Sequence, residues 1–198
     1  MPTRQLTTKG AATRQRIIEG AAELLRQSGA GASLDEIRAA TSTSKSQLFH
    51  YFPDGREQLL LSVAAHEADQ VLADQQPHLD DLASWDSWHA WRDTVLDHYR
   101  RQGRHCPLSV LIGQLGRDSD GARAVQADLL DRWQRALAAG VRQMQEQGLM
   151  SRDLDAERAG DALLAGVQGG ALALIVTGRT GPLESVLDLM LDQLRVRP

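Results

Sequence analysis

The sequence is poor in the residues that fasten a fold from outside or stiffen it with rings. Its single cysteine, Cys106, excludes an internal disulfide and fits a reducing, cytoplasmic setting. No run of about 18 apolar residues is found, so no membrane span is expected. Arg4 and Lys9 near the start have no apolar stretch behind them, and no secretory signal is expected. Strand signals are also missing: there are no alternating Val/Ile/Thr runs and no Asn-Gly or Asp-Gly hairpin between apolar segments. A glycine-rich phosphate loop, a G-x-S-x-G elbow and an H-E-x-x-H pair are all absent, so no catalytic residue, cofactor or metal is expected and the chain does not read as an enzyme. Aromatics make up only 4% of the chain. Both phenylalanines and one of the two tyrosines nevertheless crowd into positions 49, 51 and 52.

What is present is apolar enough, at 42%, to bury a core over 198 residues, and the net charge of −4 is unevenly spread. Residues 1–58 carry a net +2 and the remainder −6, and residues 1–18 hold four basic groups and no acid. A basic first third on an acidic body is the distribution expected of a segment that meets a polyanion.

Apolar spacing predicts helices almost throughout. The first runs over 13–28, with Ile17, Ile18, Ala21, Ala22, Leu24 and Leu25 on one side and Gly29 placed to end it. Three capping signatures follow within 25 residues: Ser33 with Glu36, Ser44 with Gln47, and Asp54 with Glu57. Longer helices are expected near 54–75, 83–102, 107–116, 121–148, 155–178 and 182–195. They are bounded by Pro77, Gly103 with Pro107, the stretch 117–121, Gly148 and 177–182. Pro182 suits a first helical position, where its missing N–H costs nothing.

Helix 34–41, a turn at 42–43 and helix 44–52 form a helix-turn-helix, whose second helix starts against a DNA major groove. Leu34, Ile37, Ala40 and Leu48 supply the packing, with Phe49 and Phe52 as further core, which leaves Thr43, Lys45, Ser46, Gln47 and His50 outward. Glutamine can bond an adenine edge, lysine a guanine or phosphate, and hydroxyls either. Ser44 caps the helix, whose free N–H groups suit a phosphate, and Tyr51 can reach one too. The bland alternative is a helical hairpin whose aromatics only fill a core.

Over residues 13–60 the chain resembles the DNA-binding domain of the TetR family of bacterial transcriptional repressors. The resemblance rests on Ser33 through Ile37, Ser44, Leu48, Tyr51, Phe52, Glu57 and Leu59. It implies an all-α protein with an N-terminal three-helix DNA-binding domain at 1–58 and a C-terminal effector-binding and dimerisation domain at 59–198. It also implies DNA contacts at Arg14, Ser33, Thr43, Ser44, Lys45, Ser46, Gln47, His50, Tyr51 and Arg56. Departures are informative. Ser42 stands where the family usually has glycine, Ser46 replaces another glycine, Phe49 replaces a tyrosine that typically touches phosphate, and an extra residue precedes Arg56.

Trp85, Trp88, Trp91 and Tyr99 repeat at helical spacing, either as an ordinary core stripe or as the wall of an effector cavity of the kind the family uses. His89, Asp93 and Asp97 share a face but read as solvated rather than as a metal set. His105 beside Cys106 does not make a dyad. Helix 155–178 carries four glycines, each costing about 1 kcal/mol, which points to close helix–helix approach. In the family, helices equivalent to 121–148 and 155–178 pair across a homodimer. That places Trp133, Leu137, Val141, Leu163, Gly166 and Gly170 at the interface, with intrachain packing as the alternative. The reading as a whole is a homodimeric repressor that leaves a palindromic double-stranded DNA operator when a small-molecule effector binds. The rival is an all-α enzyme or binding protein whose first third is scaffold only.

Overall fold

A computed structural model of the chain describes residues 6–28, 32–103, 106–116 and 119–195. The expected roles of Gly29 and His105, and part of the boundary at 117–121, lie outside the described residues. Among these residues the fold is helical: α1 (Thr8–Ser28), α2 (Leu34–Ala40), α3 (Lys45–Tyr51), α4 (Arg56–Ala73), a 3₁₀ turn (His78–Asp80), α5 (Trp85–Gln102), α6 (Pro107–Leu115), α7 (Asp120–Glu146), α8 (Ala156–Thr177) and α9 (Gly181–Leu194). α1 opens five residues ahead of the expected start because the Thr7 hydroxyl accepts the Gly10 N–H at 3.2 Å.

The chain folds as two compact units that are interleaved in sequence: Met1–Asp69 with Pro107–Val125, and Gln70–Cys106 with Gln126–Pro198. The change from one unit to the other therefore falls inside α4, past the boundary expected at 58, and α6 belongs with the N-terminal helices. Its Leu111 is fully buried in their core beside Ile17, Ile37, Leu48, Phe52 and Leu59, with Leu108 and Leu115 packed against that cluster. α1 and α2 approach so closely that a Cβ on Gly20 would stand 2.6 Å from Thr41 Cγ2. Arg16 donates to the Thr41 carbonyl, which ends α2.

The expected capping boxes of α2 and α3 are both formed. The third signature is not used as expected. Gly55, at φ +73°, directly precedes α4, and the contact there runs from the Asp54 N–H to Gln58 Oε1 at 3.1 Å.

In the second unit, α5 turns Trp88, Trp91, Val95, Leu96 and Tyr99 inward. α7 crosses at Gly140, where a Cβ would lie 2.5 Å from that of Leu82 and 3.0 Å from Trp88 Cζ2. Asp155 caps α8 through its carboxylate, and Gly178 closes that helix in the left-handed conformation. Three of the four glycines of α8 serve close approach as expected, and Gly169 does not. Gly160 faces the α7 backbone at Gln134, Gly166 faces Met190, and Gly170 faces the backbone of Leu183 at 2.6 Å. These neighbours belong to the same chain. Trp133, Leu137, Val141, Leu163 and Gly170 are buried in this unit's own core, and Gly166 is half-buried against α9. Five of the six residues expected at a dimer interface are therefore buried within one chain.

α8 also corrects the reading on apolar runs. It is long and apolar enough to cross a membrane by length and composition, with Asp161 and Gln168 interrupting the run. Here that apolarity is used in packing on α7 and α9 and in an outward stripe of small and aliphatic residues.

Candidate nucleic-acid interface

The short helix α3 is held from within. Leu48 and Phe52 are fully buried, and the Phe52 N–H returns to the Leu48 carbonyl at 2.8 Å to finish the helix. Its N-terminus is fixed by reciprocal bonds. Ser44 Oγ accepts the Gln47 N–H at 3.2 Å, and Gln47 Oε1 accepts the Ser44 N–H at 3.1 Å. The turn that feeds it passes through Ser42 at φ +48°, the only non-glycine residue with positive φ among those described. The backbone there does what the family's glycine suits, at a cost of about 1 kcal/mol for a side-chain-bearing residue.

With that inner face set, Lys45, Ser46, Gln47, Phe49 and His50 are exposed and Tyr51 is half-buried, its ring edge-on to His50 at 4.9 Å. Thr43 is not among them. It is buried in the turn, 2.9 Å from Thr41 Oγ1 and donating to the Thr41 carbonyl at 3.1 Å, so it shapes the turn instead of meeting solvent. Phe49 departs in the other direction. It was expected in the core, yet it is 41% exposed. One residue beyond Leu48 is about 100° round the helix, and so short a helix has only one buried face. The ring leans toward the turn before α4, 3.7 Å from where a Cβ on Gly55 would lie.

The remaining basic and hydroxyl groups divide in the same way. The Ser33 hydroxyl is engaged by Glu36, taking its N–H at 3.2 Å and donating to its carboxylate at 2.7 Å. The hydroxyl and N–H of Ser33 hold that carboxyl below its ordinary pKa. Arg14 donates to Ser62 Oγ at 2.7 Å and lies over the Phe52 ring at 5.1 Å, fastening α1 to α4. Arg56, exposed at the start of α4, donates from Nη2 to Gln114 Oε1 of α6 at 2.8 Å and reaches the Ala32 carbonyl at 3.5 Å. Lys45 and His50 have no acidic partner among the described residues. Gln114 could not be found from sequence, because 58 positions separate it from Arg56 and no local pattern marks it.

In the second unit the four aromatics expected to line a cavity do not act together. Trp85 is partly exposed beneath Arg195, whose guanidinium sits 4.4 Å from its ring centre and also approaches His89 Nε2 at 2.7 Å. Trp88 and Trp91 are buried edge to face at 5.8 Å, and Trp91 Nε1 donates to Gln75 Oε1 at 2.8 Å. The Tyr99 phenol is raised well above its ordinary pKa by burial, with Cys106 adding to the effect. Trp88 Nε1 and Trp133 Nε1 are buried without a hydrogen-bond partner. The unit's open groove, about 600 Å³, lies elsewhere, lined by Leu154, Arg158, Ala162, Val186, Leu189 and Met190 among others.

Residues 17–63 match the family model described as bacterial regulatory proteins, tetR family. Transcriptional regulator AcuR of Cereibacter sphaeroides is 27% identical over 175 residues, covering 86% of this chain and 80% of that protein. An HTH-type transcriptional regulator of Mycobacterium tuberculosis is 28% identical over 148 residues, covering 65% of this chain and 71% of its own. In fold, the chain is similar to a TetR transcriptional regulator from Chloroflexus aurantiacus, with a TM-score of 0.73, 22% identity and coverage of 96% of this chain and all of that one. A TetR-family regulator from Cytophaga hutchinsonii gives a TM-score of 0.75 at 17% identity, over 98% of this chain and 100% of its own.

Proposed function

We propose that this chain, similar along most of its length to TetR-family transcriptional regulators, acts as a homodimeric repressor released from a palindromic operator by a small-molecule effector. The observation that carries this reading is α3. It is a helix capped at its start and buried along Leu48 and Phe52, and it therefore offers Lys45, Ser46, Gln47 and His50 together to a groove. Lys45 and Ser46 meet base edges or phosphate. His50 extends the same face, Tyr51 stands beside it, and Arg56 supplies a phosphate contact from the start of α4. Ser33, Ser44 and Arg14 act by holding the helices that carry these groups.

The dimer forms through α8 and α9 rather than α7. Ala162, Ala165, Gly169, Leu172 and Val176 follow one another at spacings of three and four along α8, the repeat of a two-helix seam. Leu172 and Val176 are each 62% exposed, and Leu189 of α9 is 64% exposed. A self-complementary patch of this kind closes a twofold dimer, and two copies of α3 then read a palindrome.

Effector binding weakens DNA binding only through its different affinity for the two states of the protein. The test is selection of genomic fragments bound by the full chain, followed by titration of a selected duplex at several salt concentrations. Recovery of an inverted repeat with a steep salt dependence is the expected result. No measurable duplex binding at low salt would leave the rival reading, a binding protein with a scaffold N-terminus.

A further inference from the structure

We infer that Gln114 of α6 is a positioning residue for Arg56, holding the guanidinium in place for a DNA phosphate without cancelling its charge. The inference rests on the reading above, in which Arg56 meets phosphate.

Three observations carry it. The first is geometry. One nitrogen, Nη2, is anchored by Gln114 Oε1 at 2.8 Å and lies 3.5 Å from the Ala32 carbonyl, so acceptors from two separate elements share one edge of the planar group. A guanidinium has five N–H donors, and the described contacts use Nη2 alone. The N–H groups of Nη1 and Nε stay free to meet a phosphate, singly rather than as a parallel pair, because both parallel pairs of a guanidinium include Nη2.

The second is charge. Other arginines of the chain are neutralised by carboxylates: Arg26 by Glu67, Arg38 by Asp35, Arg92 by Asp188 and Arg100 by Glu184. The acceptors at Arg56 are a carboxamide and a carbonyl, both neutral. Attraction for a phosphate is therefore retained in full, which an aspartate or glutamate at 114 would remove.

The third is the orientation of the carboxamide. Arginine can only donate, so Gln114 must turn its oxygen outward to it. Its Nε2 is then left buried with no partner, an arrangement that costs stability. That cost is unexplained by folding alone, because an apolar side chain would avoid it. The backbone of Gln114 is steady enough for the task, since its neighbours Leu111 and Leu115 pack into the same core as α3.

The test uses the full chain, a mixed-sequence duplex of about 30 base pairs and a salt titration, in which each lost phosphate contact lowers the log–log slope by about 0.9. Arg56→Ala is expected to lose that much slope. Gln114→Met, which keeps the size and removes the orphaned N–H, is expected to fold with equal or higher thermal stability. It should bind DNA about fivefold more weakly, the loss of one hydrogen bond, at unchanged slope. Gln114→Glu is expected to lose slope as Arg56→Ala does. A Gln114→Met protein that binds as tightly as the parent or more tightly overturns the inference, as does a Gln114→Glu protein with the parent slope. An Arg56→Ala protein with the parent slope removes the phosphate reading itself, and the inference with it.

Discussion

Gly20 and Thr41 are fitted to one another across the α1–α2 crossing, with Thr41 Cγ2 standing 2.6 Å from the point a Cβ on Gly20 would occupy. Thr41 cannot yield easily. It is buried, its hydroxyl donates to the Ile37 carbonyl at 2.7 Å, and its own carbonyl receives Arg16. Gly20→Ala gains helix propensity of about 1 kcal/mol but forces these helices apart, an overpacking cost of about 1–3 kcal/mol. The expected net result is a destabilisation of about 1 kcal/mol by urea titration, with weaker DNA binding because Thr41 also supports the turn before α3. A more stable Gly20→Ala protein would show that the crossing is looser than this.

Ser42 carries the strain of the recognition turn alone. Its φ of +48° suits glycine, and its side chain is exposed. Ser42→Gly removes about 1 kcal/mol of strain and adds freedom to the unfolded chain worth a little less. The expected gain is about 0.5 kcal/mol. Ser42→Val, β-branched at the same φ, is expected to lose about 2 kcal/mol. Equal urea midpoints for the three proteins would rule this out.

The helices, two capping boxes and the turn at Ser42 were legible in the sequence because each depends on residues within four positions of one another. What was not legible depends on which neighbour lies across a gap. Thr43 reads as a free hydroxyl until Thr41 is seen to hold it, and Phe49 reads as core until Leu48 and Phe52 are seen to fill the only inward face. The apolar face of α7 was recognised, but the sequence does not say whether its partner is the same chain or a second copy. Gln114 carries no signal at all, since its role comes entirely from the placement of α6 beside α4.

Gln47 holds two roles that one substitution can separate. Its Oε1 accepts the Ser44 N–H, which ties the carboxamide back to the helix start, while its amide nitrogen is free to donate to a base. Gln47→Glu preserves the capping box, because glutamate accepts the same N–H. It replaces the donor with a negative charge against DNA. Thermal stability is expected to stay within about 0.5 kcal/mol while DNA affinity falls at least tenfold at every sequence. Gln47→Ala is expected to loosen the helix start by about 1 kcal/mol and to relax base preference at one position. A Gln47→Glu protein that binds with parental affinity would place this side chain away from the DNA.

The two neighbouring glycines of α8 distinguish a dimer seam from a core. A Cβ on Gly170 would meet the Leu183 backbone at 2.6 Å, whereas one on Gly169 meets nothing within 4 Å in the chain itself. Gly170→Ala is therefore expected to cost about 2 kcal/mol of folding stability, through displacement of backbone that cannot rotate away. Gly169→Ala has no such neighbour, and in an isolated chain it would gain about 1 kcal/mol from helix propensity. If Leu172, Val176 and Leu189 are covered by a second copy, Gly169 lies in that seam, and a charge nearby must be buried unpaired. Leu172→Asp and Leu189→Asp are then expected to shift sedimentation to the monomer with near-parental helicity and to abolish binding to a palindromic duplex. A dimer that survives both changes would place the partner on another face and leave the stripe for a different role.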